Sequence, residues 1–182
     1  QGSLLWAIDQ TLTAMGGRCL RQWLDNPLTN KKQILARQRI VSDLVQNRAL
    51  RQSLRNLLRT MGDLERLSGR ASAGKAGARD LVAIAQSLQK LPKLSAHLKD
   101  LSTSLPKWFS DLQEVNPDLT KLAENIQDKL IENPPLSITE GNLIYDGVDP
   151  ILDGLRNQID DQNKWLSSQE AKERTASGIN NL

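Results

Sequence analysis

The side chains able to do chemistry in this sequence are few and scattered. There is a single cysteine, Cys19, and a single histidine, His97. Cys19 therefore has no partner for an internal disulfide, and the pair cannot supply a Cys/His cluster for structural zinc. His97 stands off a regular leucine row with no second ligand candidate nearby, and reads as a surface histidine. No Ser/His/Asp or paired-acid arrangement stands out, and no G-x-x-x-x-G-K-[ST] phosphate loop occurs. These residues assign no catalytic, cofactor-binding or metal-binding position.

What remains is charge at helical spacing. Asp63-Leu64-Glu65-Arg66-Leu67 has Arg70 one turn on, and Ala78-Arg79-Asp80-Leu81 follows the small-residue stretch 71–77. Such charges either form intramolecular ion pairs that fix helix junctions or belong to a switch; the first is the commoner use of this pattern. Gly74 and Gly77 mark a turn or a mobile joint. The net charge of +3 is uneven, since residues 1–80 hold 14 Lys/Arg against 6 Asp/Glu and residues 81–182 hold 10 against 15. The basic part could contact nucleic-acid phosphates or could be a solvated arginine-rich face. Stacking aromatics are absent from it after Trp23, which favours the second.

The elements that must position these groups read as helices. Leu and Ile carry most of the apolar content, Val is sparse and only six residues are aromatic. At 182 residues the chain suits one domain or a piece of something larger. No apolar run reaches the about 18 residues of a membrane span, and no signal-peptide pattern stands at the N-terminus, so a soluble, cytoplasmic chain without membrane contact is expected.

Ser3 caps a short helix carrying Leu4, Leu5, Ile8 and Leu12, and Thr13 caps a second, with Met15, Cys19, Leu20, Trp23 and Leu24 inward and Asn26-Pro27 as its stop. Gly16-Gly17 inside that pattern implies either a close backbone approach or a break between two short helices. Thr29 or Asn30 begins a third helix, with Ile34, Gln38, Val41, Leu44 and Val45 along one side. Asn47 caps a fourth, where Leu50, Leu54, Leu57 and Leu58 form a core stripe and Arg48, Arg51, Arg55 and Arg59 flank it. From Asp80, leucines and Ile84 recur every three or four residues to Leu101, predicting one long helix bent at Pro92. Shorter helices are expected at Pro106 to Leu112 and Pro117 to Ile131, with Trp108-Phe109 in the core. Glu140-Gly141-Asn142 between apolar residues predicts a small hairpin near residues 137–145. Asp149 and Pro150 then launch an amphipathic helix from Val148 to Ser177, roughly 40 Å long, with Ile151, Leu152, Leu155, Ile159 and Leu166 on one sticky side.

The fold class is thus all-α, an irregular multi-helix bundle with long helices. Several of its blocks carry a resemblance. Thr13, Met15-Gly16, Arg18, Leu20, Trp23-Leu24 and Pro27-Leu28 resemble the opening of the core domain of the MutS family of DNA mismatch-recognition ATPases. The Asp63–Leu67 block, the small-residue segment and Arg79-Asp80-Leu81 resemble the family's next blocks, in the same order. Ile138, Gly141, Ile144, Gly147 and Leu152-Asp153 follow, and then Glu173-Arg174, Ser177-Gly178-Ile179 and Leu182, similar to the run that enters the family's DNA clamp. Ala14, Cys19 and Ile151 depart from its usual proline, larger aliphatic and glutamate.

The resemblance implies that residues 1–147 are the first segment of the core helical domain and residues 148–182 the lever helix leading to a clamp. It implies a non-catalytic segment that couples an ATPase region to the clamp in mismatch repair, with the long helices switching between two orientations. ATP and magnesium, mismatched double-stranded DNA, MutL and a homodimeric assembly are implied for the parent protein, through residues outside these. DNA-contacting residues within the chain stay unassigned. The alternatives are a stand-alone helical nucleic-acid-binding module or a protein-interaction scaffold.

Overall fold

The computed structural model describes residues 2–99, 111 and 114–178. The expected helix at Pro106 to Leu112, the Trp108-Phe109 pair, Leu101, Ile179 and Leu182 lie outside the described residues or largely so. The chain divides into two compact units, Gln1–Leu143 and Ile144–Leu182. Among the described residues both are helical, with no strand.

The first unit contains α1 (Leu4–Ile8), α2 (Ala14–Asp25), α3 (Lys31–Gln46), α4 (Arg48–Arg59), α5 (Leu64–Ser72), α6 (Ala78–Leu88), α7 (Leu91–Lys99) and α8 (Pro117–Lys129). Short polar side chains start most of them. Ser3, Thr13, Asn30, Asn47, Asp63 and Asn116 each accept a hydrogen bond from a first-turn amide, satisfying donors that have no intrahelical partner.

The α3–α4 corner shows how tightly such signals can be used. Asn47 ends α3 by donating its amide to Asp43 O at 2.9 Å and starts α4 by accepting from Leu50 N at 3.0 Å. One helical turn into α4, Arg51 reaches back and donates to Leu44 O and Val45 O, both at 2.7 Å. Its positive charge therefore sits at the negative end of the α3 dipole. With the corner closed, Ile40 of α3, Leu50 and Leu54 of α4 and Leu98 of α7 form one buried cluster, with Leu44 and Leu94 packed on it. Each such side chain contributes about 1.5–3 kcal/mol by leaving water.

A second cluster joins α6 to α8. Ala85 and Ala123 are 0% exposed, with Leu88 beside them and Ile84, Leu91, Leu119 and Ile126 around the edge. Alanine at both facing positions removes the bulk that would hold the two backbones apart. Ser87 is buried within α6, where its hydroxyl donates to Ala83 O at 2.8 Å and accepts from Gly62 N at 2.9 Å. That second bond ties the α4–α5 connection to α6. Gly62 is tightly placed, since a Cβ there would stand 3.1 Å from Ser87 Oγ and 3.3 Å from Leu67 Cδ1 and these side chains would have to give way.

Three expectations are corrected. The leucine row from Asp80 is broken into α6 and α7, at Gln89-Lys90 rather than bent at Pro92. Proline cannot donate an amide and its ring clashes with the carbonyl four residues back, so a continuous helix is blocked. As the second residue of α7, Pro92 needs no donor. In α3 the buried side is set by Ile40 with Leu44, while Val41 and Val45 are 58% and 63% exposed. Finally, no hairpin forms near residues 137–145. Ile138–Glu140 is a 3-10 turn closed by a Ser137/Glu140 capping box, and Gly141 at φ 70°, ψ −163° extends the chain instead of reversing it. Gly16 and Gly17 sit in an unbroken α2. A Cβ on Gly16 would lie 3.0 Å from Thr13 Oγ1 and 3.4 Å from Thr11 Cβ, so the close approach comes from the α1–α2 loop.

The second unit is α9 (Pro150–Ser177), 28 residues without interruption and about 42 Å long. Asp149 caps it, accepting from Ile151 N at 2.9 Å, and Gly178 ends it in the left-handed conformation.

Candidate functional site

Two of the charged blocks singled out in the sequence meet in space. Arg18 projects from α2, immediately after the Gly16-Gly17 pair, towards the start of α5. Asp63 is the N-cap of α5 and Glu65 lies in its first turn, so both carboxylates also face the positive end of that helix. The Arg18 guanidinium donates from Nη1 and Nη2 to the two oxygens of Asp63 at 2.8 and 2.7 Å, and from Nε and Nη2 to Glu65 Oε2 at 2.9 and 2.5 Å. The planar fork of arginine matches a carboxylate in this way, whereas lysine could offer only a point charge.

The electrostatics follow from that geometry. The guanidinium hydrogen bonds, with help from Arg66 N, hold the Asp63 carboxyl down from 3.8 to about 2. Arg18 is pushed in the opposite direction by Asp63 first and Glu65 second. Both shifts favour the charged forms of Arg18 and Asp63, so this pair has no proton to exchange near neutral pH. Its chemistry is mechanical: it fixes the angle between α2 and α5. Arg18 is 43% exposed and Asp63 20%. Solvent weakens each pair taken alone, and the bidentate network supplies orientation more than energy.

The next block is tied in the same manner. Arg70 of α5 donates to Asp80 of α6 at 2.9 Å and to Lys75 O at 3.1 Å, bracketing the small-residue segment between the helices. Asp80 also accepts from Gly77 N at 3.0 Å. This backbone bond, and then Arg70, lowers its carboxyl pKa. The junction reading of these charges therefore describes their geometry.

The same segment contains Gly69, Gly74 and Lys75 at the spacing of a phosphate loop, with Ala76 where a hydroxyl residue is required. Its backbone excludes that use. The amides of Ala73, Gly74 and Lys75 donate to Gly69, Ala71 and Arg70 carbonyls at the C-terminal end of α5. A phosphate cradle needs free amides at a helix N-terminus, and here the amides are engaged at the opposite pole.

The base of α9 is the third junction, and sequence reasoning missed most of it. Arg156 donates to Asp146 Oδ1 at 2.6 Å and to Ile144 O at 2.9 Å, and Asp153 accepts from Gly147 N at 2.9 Å. With the Asp149 cap, these bonds bind the 144–149 segment to the first two turns of the helix. The signal was weak because the hydrogen-bond partners of Arg156, Asp146 and Ile144, lie ten and twelve residues back.

The remaining candidates resolve individually. Cys19 is exposed and free. Among the described residues no group of three or more His, Cys, Asp or Glu could hold a metal ion. Within the basic part, Arg18 and Arg51 are committed to the contacts above, and Arg37 lies over the Trp23 ring at 3.7 Å from its centroid. His97 lines an open cleft between α4 and α7. Among the described residues no helix is long and apolar enough to cross a membrane.

The comparisons with known proteins agree with the block order. The family model for MutS domain III matches residues 1–178. A DNA mismatch repair protein MutS from Prochlorococcus marinus is 72% identical over all 182 residues. Proteins of the same name from Parasynechococcus marenigrum and a Synechococcus species are 62% and 61% identical over the same span. In each case this chain covers 20% of the relative's length. With the family model spanning nearly every residue and the Arg18 cluster joining two of its sequence blocks, the chain belongs to the MutS domain III family.

Proposed function

We propose that this chain is the helical core and lever segment of a DNA mismatch-recognition ATPase, coupling nucleotide state at one end to closure of a DNA clamp at the other. The observation that carries the reading is α9 itself. An uninterrupted helix about 42 Å long, tied at its base by Asp149, Asp153 and Arg156, transmits a rotation along its length where a loop would absorb it. The names of the relatives support mismatch repair as the process.

On this reading the segment itself is non-catalytic. ATP and magnesium would then belong to residues outside these 182, a reading supported by the engaged amides of the near-match to a phosphate loop at the C-terminal turn of α5. The parent protein binds mismatched double-stranded DNA, acts as a cytoplasmic homodimer and has MutL as a partner.

The test uses the full-length protein with Asp160→Gly and Lys164→Gly together, on the exposed side of α9. Each glycine costs about 1 kcal/mol of helix propensity against alanine and loosens the rod. ATP-dependent release from mismatched DNA should weaken, while the matching alanine pair leaves it intact. Unchanged release at unchanged stability would sink the lever reading.

A further inference from the structure

The cleft between α4 and α7 has an unusual charge environment. It is an open cavity of about 360 Å³ lined by Ser53, Asn56, Leu57 and Thr60 on one wall and Lys93 and His97 on the other. Lys93 and His97 are four residues apart on α7 and so share a face. Lys90, one turn earlier, already donates its ammonium to Thr60 O, which draws the end of α4 towards this flank of α7.

No carboxylate occurs anywhere in residues 48–62 or 81–99. The first stretch carries Arg48, Arg51, Arg55 and Arg59, and the second carries Lys90, Lys93, His97 and Lys99. On α3, which packs against α4, the sole acid is Asp43. At two other helix junctions a positive group meets an acid, as Arg18 does Asp63 and Arg70 does Asp80. The cleft lining itself holds Lys93 and His97 and no acid, and neither residues 48–62 nor residues 81–99 supply one. The lining groups are also the right kind, since a lysine ammonium and the Ser, Asn and Thr side chains can all donate to an oxyanion. A metal cation would meet no anionic oxygen in this lining.

We propose that the α4–α7 cleft is a binding site for a small phosphate-class oxyanion, held by Lys93 and His97 against the donors of Ser53, Asn56 and Thr60. The concave shape and a volume at the small end of ligand pockets favour a free phosphate group over a continuous nucleic-acid backbone, which needs a groove. The proposal is independent of the lever reading, because it concerns α4 and α7 and uses no property of α9.

The experiment is equilibrium dialysis of labelled inorganic phosphate against the full-length protein at low salt, comparing wild type with Lys93→Ala/His97→Ala. The double variant should lose one phosphate equivalent per chain, and any phosphate held elsewhere in the parent protein should persist in both. Asn56→Asp, nearly isosteric, puts a negative charge in the cleft and should weaken that equivalent by about tenfold or more without disturbing the fold. Binding of a DNA duplex by the same variants distinguishes the source of the phosphate. Duplex affinity and salt dependence equal to wild type, with the equivalent lost, support the free anion. An equal loss in duplex affinity would overturn the free-anion assignment in favour of a backbone phosphate. Equal phosphate stoichiometry in all three proteins, each folded by circular dichroism, would overturn the site itself.

Discussion

Arg18 and Asp63 stand 45 residues apart in the sequence and meet through two parallel hydrogen bonds of 2.8 and 2.7 Å. The first belongs to α2, and the second is the N-cap of α5. One contact therefore both aligns α2 with α5 and satisfies the entry of α5. Glu65 adds a second acceptor to the same guanidinium, so the angle between the helices is set by a planar group held at several points.

Replacing Arg18 should loosen this junction in an ordered series. Arg18→Ala leaves Asp63 and Glu65 adjacent and like-charged, and Arg18→Lys restores the charge but not the fork. Thermal melts should rank wild type above Lys above Ala. A double-mutant cycle with Asp63→Ala should show a coupling that neither single variant explains. A lysine variant as stable as wild type would show that charge alone suffices.

The junction also predicts an acid dependence. Asp63 is more acidic in the folded chain, at about 2, than at its ordinary value of 3.8, so the native state binds fewer protons than the unfolded one. Its contribution is complete above the ordinary value and is lost as pH falls through about 2. Asp80 is shifted in the same direction. Denaturant titrations of wild type and Asp63→Asn should differ most near neutral pH and converge between roughly pH 4 and 2. A gap that stays constant over that window would contradict the assigned shift.

Ser87 carries a different kind of weight, because it is buried and bonded at both ends. Ser87→Ala removes the acceptor for Gly62 N and leaves that amide without its partner, at a cost of about 1–3 kcal/mol. Chemical denaturation should show the loss, and amide exchange at Gly62 should speed up. Unchanged exchange there would mean that the bond contributes nothing to holding the connection.

These cases show what the sequence could and could not disclose. Caps were legible because each is decided within four residues: Ser3, Thr13, Asn47 and Asp149 all accept the bonds that their positions imply. The side of α3 that is buried was not, because Ile40 and Val41 are neighbours of similar hydropathy and only the partner helices choose between them. Pro92 was recognisable as a disturbance, but whether the chain bends or restarts depends on how Gln89 and Lys90 are satisfied. Of the charged blocks, the junction role could be anticipated from their spacing. That Arg18 is the partner of Asp63 required the fold, since nothing local links residues so far apart.

The central claim is that α9 moves as a rigid rod, and a distance within it tests this most directly. Spin labels at Asn157 and Lys172, after substitution to cysteine in the full-length protein on mismatched DNA, span about 22 Å of helix. The account predicts one narrow distance distribution that stays unchanged when ATP is added, while release from DNA proceeds. A distribution that broadens or shortens with nucleotide would contradict it, because a helix that bends or melts in its middle cannot carry a rotation from one end to the other.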